Sequence, residues 1–254
     1  MSGDGTKPLS GKVALVTGGV RRIGRAIALS LAADGAAVIV HGRTSEAEAK
    51  AVASEIEQLG GASMVCLADV VDEAAVRGMV ERIGARFGRL DVLVNNAAIR
   101  AQVPFLDMTL AQWREITGVI LDGAFVVTHA CLPLMLRSGA GGQIVNIGGA
   151  TAYTGAVERA HVVTAKAGLG GFTRALATEF AGRGITVNCV VPGRIGGERS
   201  KTAGAEPAPG HHEPIVGRYG TPEEVAAMVR PLWLPTGRYV TGQTIHVNGG
   251  LFLS

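Results

Sequence analysis

Short runs of consecutive apolar residues alternate along the chain with stretches whose apolar positions recur every three to four residues. The first run, Val13-Ala14-Leu15-Val16, is apolar on both faces, as a buried parallel strand requires. Runs of the same kind follow at residues 38–40, 63–67, 90–94, 142–147, 185–191 and 244–247. Between them lie helical patterns. The first carries Ile23, Ala26, Ile27 and Leu31 at helical spacing. Others cover residues 47–59 after the cap-like Thr44-Ser45, 72–87, 110–137 and 161–181. A last helix starts at Thr221-Pro222-Glu223-Glu224, with Thr as cap and Pro in the first turn. This alternation predicts an α/β fold: one domain over residues 1–254, built on a doubly wound parallel sheet that binds ligands at the C-terminal ends of its strands. The segments ending the strands (TGG, HGR, ADV, NNAA, GGA and VPG) agree with that placement. Residues 194–217 show no periodicity and carry glycine, proline and charge, which predicts a functional loop beside the substrate.

The stretch from Lys12 to Ala26, KVALVTGGVRRIGRA, organises the rest. A strand, a glycine turn and a helix N-terminus in that order form a phosphate cradle, because backbone N–H groups and the helix dipole both favour negative charge there. Glycine permits close approach of the backbone to a diphosphate. Arg21 and Arg22 add positive charge to the turn.

Composition narrows the function classes. The 254 residues are 47% hydrophobic, enough for a large core. Lys plus Arg number 24 and Asp plus Glu 21, a net charge of +3, too balanced to suggest nucleic-acid binding. The polar N-terminus lacks the apolar core of an export signal, and no apolar run is expected to be long enough to span a bilayer, so the expectation is a cytoplasmic protein with no membrane partner. Cys66, Cys131 and Cys189 lie in apolar segments and read as buried free thiols. His211-His212 with Glu213 lacks a second pair at ligand spacing, so no metal site is expected.

Taken together, TGGVRRIG, ADV, NNAA, KAG, VNCVVPG and TGQTIHVNGG resemble the short-chain dehydrogenase/reductase family over nearly the whole chain. The C-terminal stretch looks most like the 3-oxoacyl-acyl-carrier-protein reductases, and VRRIG with HGRTS is similar to the pteridine reductases. The resemblance implies a Rossmann-type fold, a nicotinamide cofactor, a small-molecule substrate and a homo-oligomer, expected as a tetramer. The tetramer would pair through the helices at 110–137 and 161–181, with a second contact through the last strand, the helix after Thr221 and the apolar ending Leu251-Phe252-Leu253. It also implies that Gly18, Arg21, Ile23 and Gly24 form the diphosphate turn and that Asp69 and Val70 hold the adenine. Asn96 and Ala97 would pass beside the adenine ribose, and Pro192, Gly193 and Ile195 beside the nicotinamide. Arg22 stands where the family usually has glycine, so a local adjustment of the turn is expected.

Cofactor choice is read at the end of the second strand. An acid there suits the ribose hydroxyls of NAD, and arginine suits the 2′-phosphate of NADP. Here Gly42 takes the acid's place, and Arg43, with Arg21 or Arg22 across the turn, can pair with a phosphate, which points to NADP(H).

The family's chemistry uses an Asn, a Ser, a Tyr and a Lys. Only the lysine is present, as Lys166. The tyrosine position four residues earlier is Val162, the serine position is Gly149 and the asparagine position is Ile120. Gly197 replaces the threonine usual soon after Pro-Gly. None of the first three offers a side-chain proton, so the usual carbonyl mechanism does not carry over. Tyr153, in the loop after the fifth strand, and His161, beside the helix of Lys166, are the candidate substitutes. Three readings stay open: an NADP(H)-dependent oxidoreductase with an altered acid, a catalytically silent cofactor-binding or partner subunit, and a non-redox lyase using the same pocket.

Overall fold

The computed structural model describes residues 7–197 and 213–253. Its strands are β1 (Val13–Val16), β2 (Ala37–Gly42), β3 (Ser63–Leu67), β4 (Val92–Asn95), β5 (Gly142–Ile147), β6 (Ile185–Pro192) and β7 (Thr244–Val247). Its helices are α1 (Arg22–Ala33), α2 (Glu46–Gln58), α3 (Glu73–Phe87), α4 (Leu110–Thr117), α5 (Gly123–Arg137), α6 (Thr151–Thr154), α7 (Ala160–Phe180) and α8 (Pro222–Trp233). All strand pairs are parallel, in the order β3-β2-β1-β4-β5-β6-β7. The chain winds outward from β1 to β3, then returns to place β4 on the other side of β1. That reversal opens a crevice between β1 and β4, where a doubly wound sheet binds its ligand.

Alternation along the strands builds two cores. Ala14 and Val16 of β1 face α1, α2 and α8, where Ile27, Leu31, Val52, Ile56, Val229 and Trp233 are buried. Val13 and Leu15 face α3 and α5 across the sheet, against Met79, Ile83, Val127 and Met135. The buried carboxylate of Asp34, just past α1, accepts bonds from Arg230 (2.6 Å) and Trp233 Nε1 (2.9 Å), which clamps α8 onto α1.

Several local signals work as the sequence predicts. Thr221 and Glu224 form a capping box at α8 with Pro222 behind the cap, and Asp72 caps α3 through Ala75 N–H at 3.0 Å. Ser45 precedes α2 but makes no side-chain cap bond, so the expected cap there is not formed. The long helix at residues 110–137 is broken in its hydrogen-bond register by a π turn at Gly118–Asp122. This 28-residue run is long enough, and its most apolar 18-residue stretch is apolar enough at a mean hydropathy of 1.9, to meet the length and composition of a membrane span. That departs from the expectation that no run reaches bilayer length. Half of that apolar stretch is buried, with α5 against α3 and β4 and α4 against α7, as in the core helix of a globular domain.

Candidate active site

The cradle at the end of β1 depends on glycine at two points. Gly18 has φ +61°, and a Cβ on Gly24 would lie 2.2 Å from the Gly18 carbonyl oxygen and 2.6 Å from Asn96 Nδ2. Only a bare backbone lets α1 start this close to the strand end. Asn96 fixes the same turn from β4: its Nδ2 donates to the carbonyls of Thr17 and Gly18, both at 3.0 Å. Thr17 Oγ1 accepts the backbone N–H groups of Asn96 (2.9 Å) and Ala97 (3.1 Å). Ile23 packs into the core below, and Arg21 is exposed at the rim.

Arg22 has φ +48°. The turn therefore keeps a left-handed backbone at the position where the family usually has glycine, and the arginine bears a conformational cost of about 1–2 kcal/mol. Its guanidinium donates to the carbonyls of Ile195 (2.8 Å) and Gly196 (3.4 Å), at the start of the loop after β6. Arg22 thus bridges the turn to the 195–197 segment.

A cleft of about 270 Å³ opens at this switch point. The turn, residues 41–45 after β2, Ala68, Asp69 and Val70 after β3, and residues 96–100 after β4 line it. The buried His41 stands at its back. Its Nδ1 accepts the Gly18 N–H at 3.2 Å, which leaves the proton on Nε2 to donate to the Ala68 carbonyl at 3.0 Å. Burial pushes the imidazole pKa down, opposed by the Ala68 carbonyl and by Asp69. Within HGR the local pattern carries no signal of this histidine's role, which depends on Gly18 in the neighbouring strand's turn. A Cβ on Gly42 would meet Val20 at 3.1 Å and Leu67 at 3.7 Å, so an acidic side chain here would push against apolar neighbours. Arg43 lies 3.8 Å from Asp69 across the cleft mouth, and Thr44 and Ser45 complete the wall.

Behind the cleft, buried amides hold the strand ends. Asn95 Nδ2 donates to Thr128 Oγ1 and to Asn146 Oδ1, and Asn146 Nδ2 donates to Thr173 Oγ1, each at 2.9 Å. This chain ties β4 and β5 to α5 and α7 and so fixes Lys166 on α7. The Lys166 amine is buried and donates to the Ile147 carbonyl at 2.6 Å. Burial, aided by the positive charge of Arg100 and opposed by Cys189, pushes its pKa down to about 7. Val162, one turn earlier, is buried in an apolar cluster with Ile116, Ile120, Ala150 and Leu169. Ile120 sits inside the π turn, a feature frequent at functional sites. A Cβ on Gly149 would lie 3.7 Å from Lys166 Cγ, in ordinary contact. A small inner cavity, lined by Thr17, Asn95, Ile120, Lys166 and Leu169 among others, remains between them.

The two candidate substitutes lie elsewhere. Tyr153, on α6, packs edge-on against His246 of β7, with ring centres 4.6 Å apart, and against Phe252 at 5.2 Å. It lines neither the cleft nor the inner cavity. His161 is fully buried on the first turn of α7. Its Nδ1 accepts the N–H of Val162 at 3.0 Å, while Nε2 has no partner among the described residues. Burial pushes its pKa down as well.

Pro192 ends β6, and the Gly193 N–H donates to Val247 O at 3.0 Å. A Cβ on Gly193 would lie 2.6 Å from Asn248 Cα, so the end of β7 dictates glycine there. Ile195 pairs with Gly220, and Arg194 bonds Glu213 at 2.6 Å and Tyr219 Oη at 3.2 Å, which fixes both ends of the expected 194–217 loop. Its middle, 198–212 with His211 and His212, lies outside the described residues.

This architecture recurs in known proteins. The family profile described as enoyl-(acyl carrier protein) reductase matches residues 18–252. The 3-oxoacyl-acyl-carrier-protein reductase of Aquifex aeolicus is 43% identical over 246 residues, covering 96% of this chain and 98% of that protein. The Escherichia coli enzyme of the same name is 38% identical over 244 residues, again covering 96% and 98%. Among solved structures, a dehydrogenase/reductase from Sinorhizobium meliloti superposes with a TM-score of 0.90 at 34% identity, covering 98% of both chains. Acetoin dehydrogenase from Salmonella typhimurium does so with a TM-score of 0.85 at 33% identity, covering 94% of this chain and 95% of its own. A single seven-stranded fold, a glycine cradle at its switch point and near full-length similarity to these enzymes lead to one conclusion: the chain belongs to the short-chain dehydrogenase/reductase family.

Proposed function

We propose that the protein is an NADP(H)-binding oxidoreductase with a non-standard active site, in which Val162, Gly149 and Ile120 stand where the family has Tyr, Ser and Asn. The observation that carries the cofactor half is the end of β2. Gly42 is backed by Val20 and Leu67, no acid is present there, and Arg43, Thr44 and Ser45 line the cleft together. A 2′-phosphate meets a guanidinium and hydroxyls in place of a carboxylate. The cradle of Gly18, Arg21, Ile23 and Gly24 takes the diphosphate, with Arg22 at its edge. Asp69 and Val70 take the adenine, Asn96 and Ala97 flank the ribose, and Pro192, Gly193 and Ile195 flank the nicotinamide. The cofactor supplies a hydride.

The chain's own residues do the rest. Lys166 holds the nicotinamide ribose and carries no tyrosine to tune. Ile120 and Val162 exclude water without moving a proton. A carbon–carbon double bond conjugated to a carbonyl, or an imine, needs less help from a positioned acid than a ketone, and such a substrate fits this site. The similarity to a profile described as enoyl-(acyl carrier protein) reductase supports the first of these. Tyr153 and His161 are the remaining candidates for proton donor. Each would have to rearrange to reach a substrate: Tyr153 is stacked against His246, and the fully buried His161 lines neither the cleft nor the inner cavity.

A second reading, a cofactor-binding partner subunit without catalysis, is favoured by one observation: Val162 and Ile120 are core residues of one apolar cluster. A lyase would use the same pocket without consuming reduced cofactor. The protein acts in the cytoplasm on a small molecule and assembles as a homotetramer. Phe125, half-exposed and stacked on His129 of α5, marks one apolar face for that assembly. The test is NADPH oxidation with a panel of ketones, enoyl thioesters and cyclic imines. Consumption with enoyl or imine substrates alone supports the oxidoreductase, binding without consumption supports the silent subunit, and brisk ketone turnover overturns both.

A further inference from the structure

Arg22 ties the glycine turn to the opposite side of the site. The turn, Arg22 included, lines the cleft together with residues 41–45 and 68–70 at the proposed adenine end. Pro192, Gly193 and Ile195, proposed to flank the nicotinamide, stand beyond the cleft lining. The half-buried Arg22 spans that gap. Its Nη2 donates to the carbonyls of Ile195 at 2.8 Å and Gly196 at 3.4 Å, and its Nη1 to that of Gly197 at 3.5 Å. The same segment is pinned from behind, where the Gly196 N–H donates to Gly220 O at 2.8 Å and the Gly220 N–H to Arg194 O at 2.9 Å. Arg22 holds this reach from a left-handed backbone, φ +48°, that glycine adopts without cost. Strain of this kind persists where surrounding contacts over-determine it, and it gathers at ligand clamps and switches. An extended ligand laid from residues 68–70 to residues 192–195 has to pass this arm.

We propose that Arg22 is a strap across the diphosphate position that sets how fast a dinucleotide enters and leaves. The inference rests on the cofactor-binding reading and deepens it by naming the residue that controls exchange. The carbonyl bonds must break whichever way the ligand moves, so the strap slows association and dissociation together. A plain phosphate contact behaves differently. Its loss speeds dissociation, and removing a positive charge that steers an anion slows association. The two roles therefore move the association rate in opposite directions.

The test is stopped-flow nicotinamide fluorescence with NADPH on the wild type, Arg22→Gly and Arg22→Lys. Arg22→Gly suits the left-handed backbone and is expected to raise both rate constants by about tenfold, the worth of a hydrogen bond to a charged group. Arg22→Lys keeps the charge, but one ammonium cannot fork across three carbonyls, so both rates should rise there too. An association rate in Arg22→Gly that is unchanged or slower overturns the proposal and leaves the cofactor reading standing. Amide hydrogen exchange on the protein alone gives a second readout: exchange at Gly196 and Gly220 should be faster in Arg22→Gly. If neither the wild type nor the variants bind NADPH, the cofactor reading fails. Unchanged exchange at those two amides then overturns the strap as well, and faster exchange retains it.

Discussion

His41 accepts the backbone N–H of Gly18 at 3.2 Å and so holds the phosphate turn from the neighbouring strand. Only the neutral imidazole can do this, because a protonated ring has no acceptor. The folded pKa lies below the ordinary value of 6.5. The group's contribution to stability is therefore complete above about pH 6.5 and is lost as pH falls through the lower folded value. NADPH affinity should fall over the same window. His41→Leu leaves the Gly18 N–H and the Ala68 carbonyl unpaired, with an expected loss of about 1–3 kcal/mol. Denaturant unfolding and NADPH titration between pH 5 and 8 check both effects; a pH-independent affinity in the wild type contradicts the assignment.

Gly24→Ala should damage the cradle more than its size suggests. The added methyl meets the Gly18 carbonyl oxygen at 2.2 Å, and neither backbone can retreat without opening the β1–α1 turn. A cost of about 1–3 kcal/mol is expected, with weakened NADPH binding. An unchanged unfolding midpoint and affinity would show that the turn is more pliable than its geometry.

Lys166→Met should separate stability from function. Burial holds the amine's pKa at about 7. Between that value and its ordinary 10.5 the unfolded chain binds the extra proton, so the wild type gains stability from this group as pH rises through that window. Replacing the amine with a thioether of similar length should raise stability at pH 7 by about 1–3 kcal/mol. NADPH affinity should fall. A fall in both would mean that the Ile147 bond outweighs the burial cost.

Val162→Tyr, combined with Gly149→Ser, returns a phenol one helical turn before Lys166. The cluster around Ile120 and Leu169 resists the larger ring, so some loss of stability is expected. Ketone reduction should nonetheless rise, by up to about 10²–10⁴ if the phenol reaches the substrate oxygen. Steady-state NADPH oxidation with a simple ketone reads this directly, and no gain in a folded double variant would argue against the assignment of these positions.

Much of this was legible in the chain. The apolar runs that became β1, β3, β5 and β7 are bounded by turn residues on both sides, and the structure keeps their ends. β2 runs on to His41 and Gly42 because their partners Cys66 and Leu67 extend the ladder, a non-local cause with no trace in the local pattern. The π turn at 118–122 depends on hydrogen-bond register, which the 3.6-residue apolar spacing does not report. The role of His41 depends on Gly18, 23 residues away, and that of Arg22 on Ile195, 173 residues away. Tyr153 looked close to the site in sequence. Contacts with His246 and Phe252, which the strand order brings alongside, turn it toward β7.

The most direct test of the account is the pair of dissociation constants for NADPH and NADH, measured by nicotinamide fluorescence on the wild type and on Arg43→Ala. The arrangement of Gly42, Arg43, Thr44 and Ser45 predicts that NADPH binds more tightly by about tenfold or more. Arg43→Ala should weaken NADPH and leave NADH nearly unchanged. Equal affinities in the wild type, or equal losses for both cofactors in the variant, would contradict it.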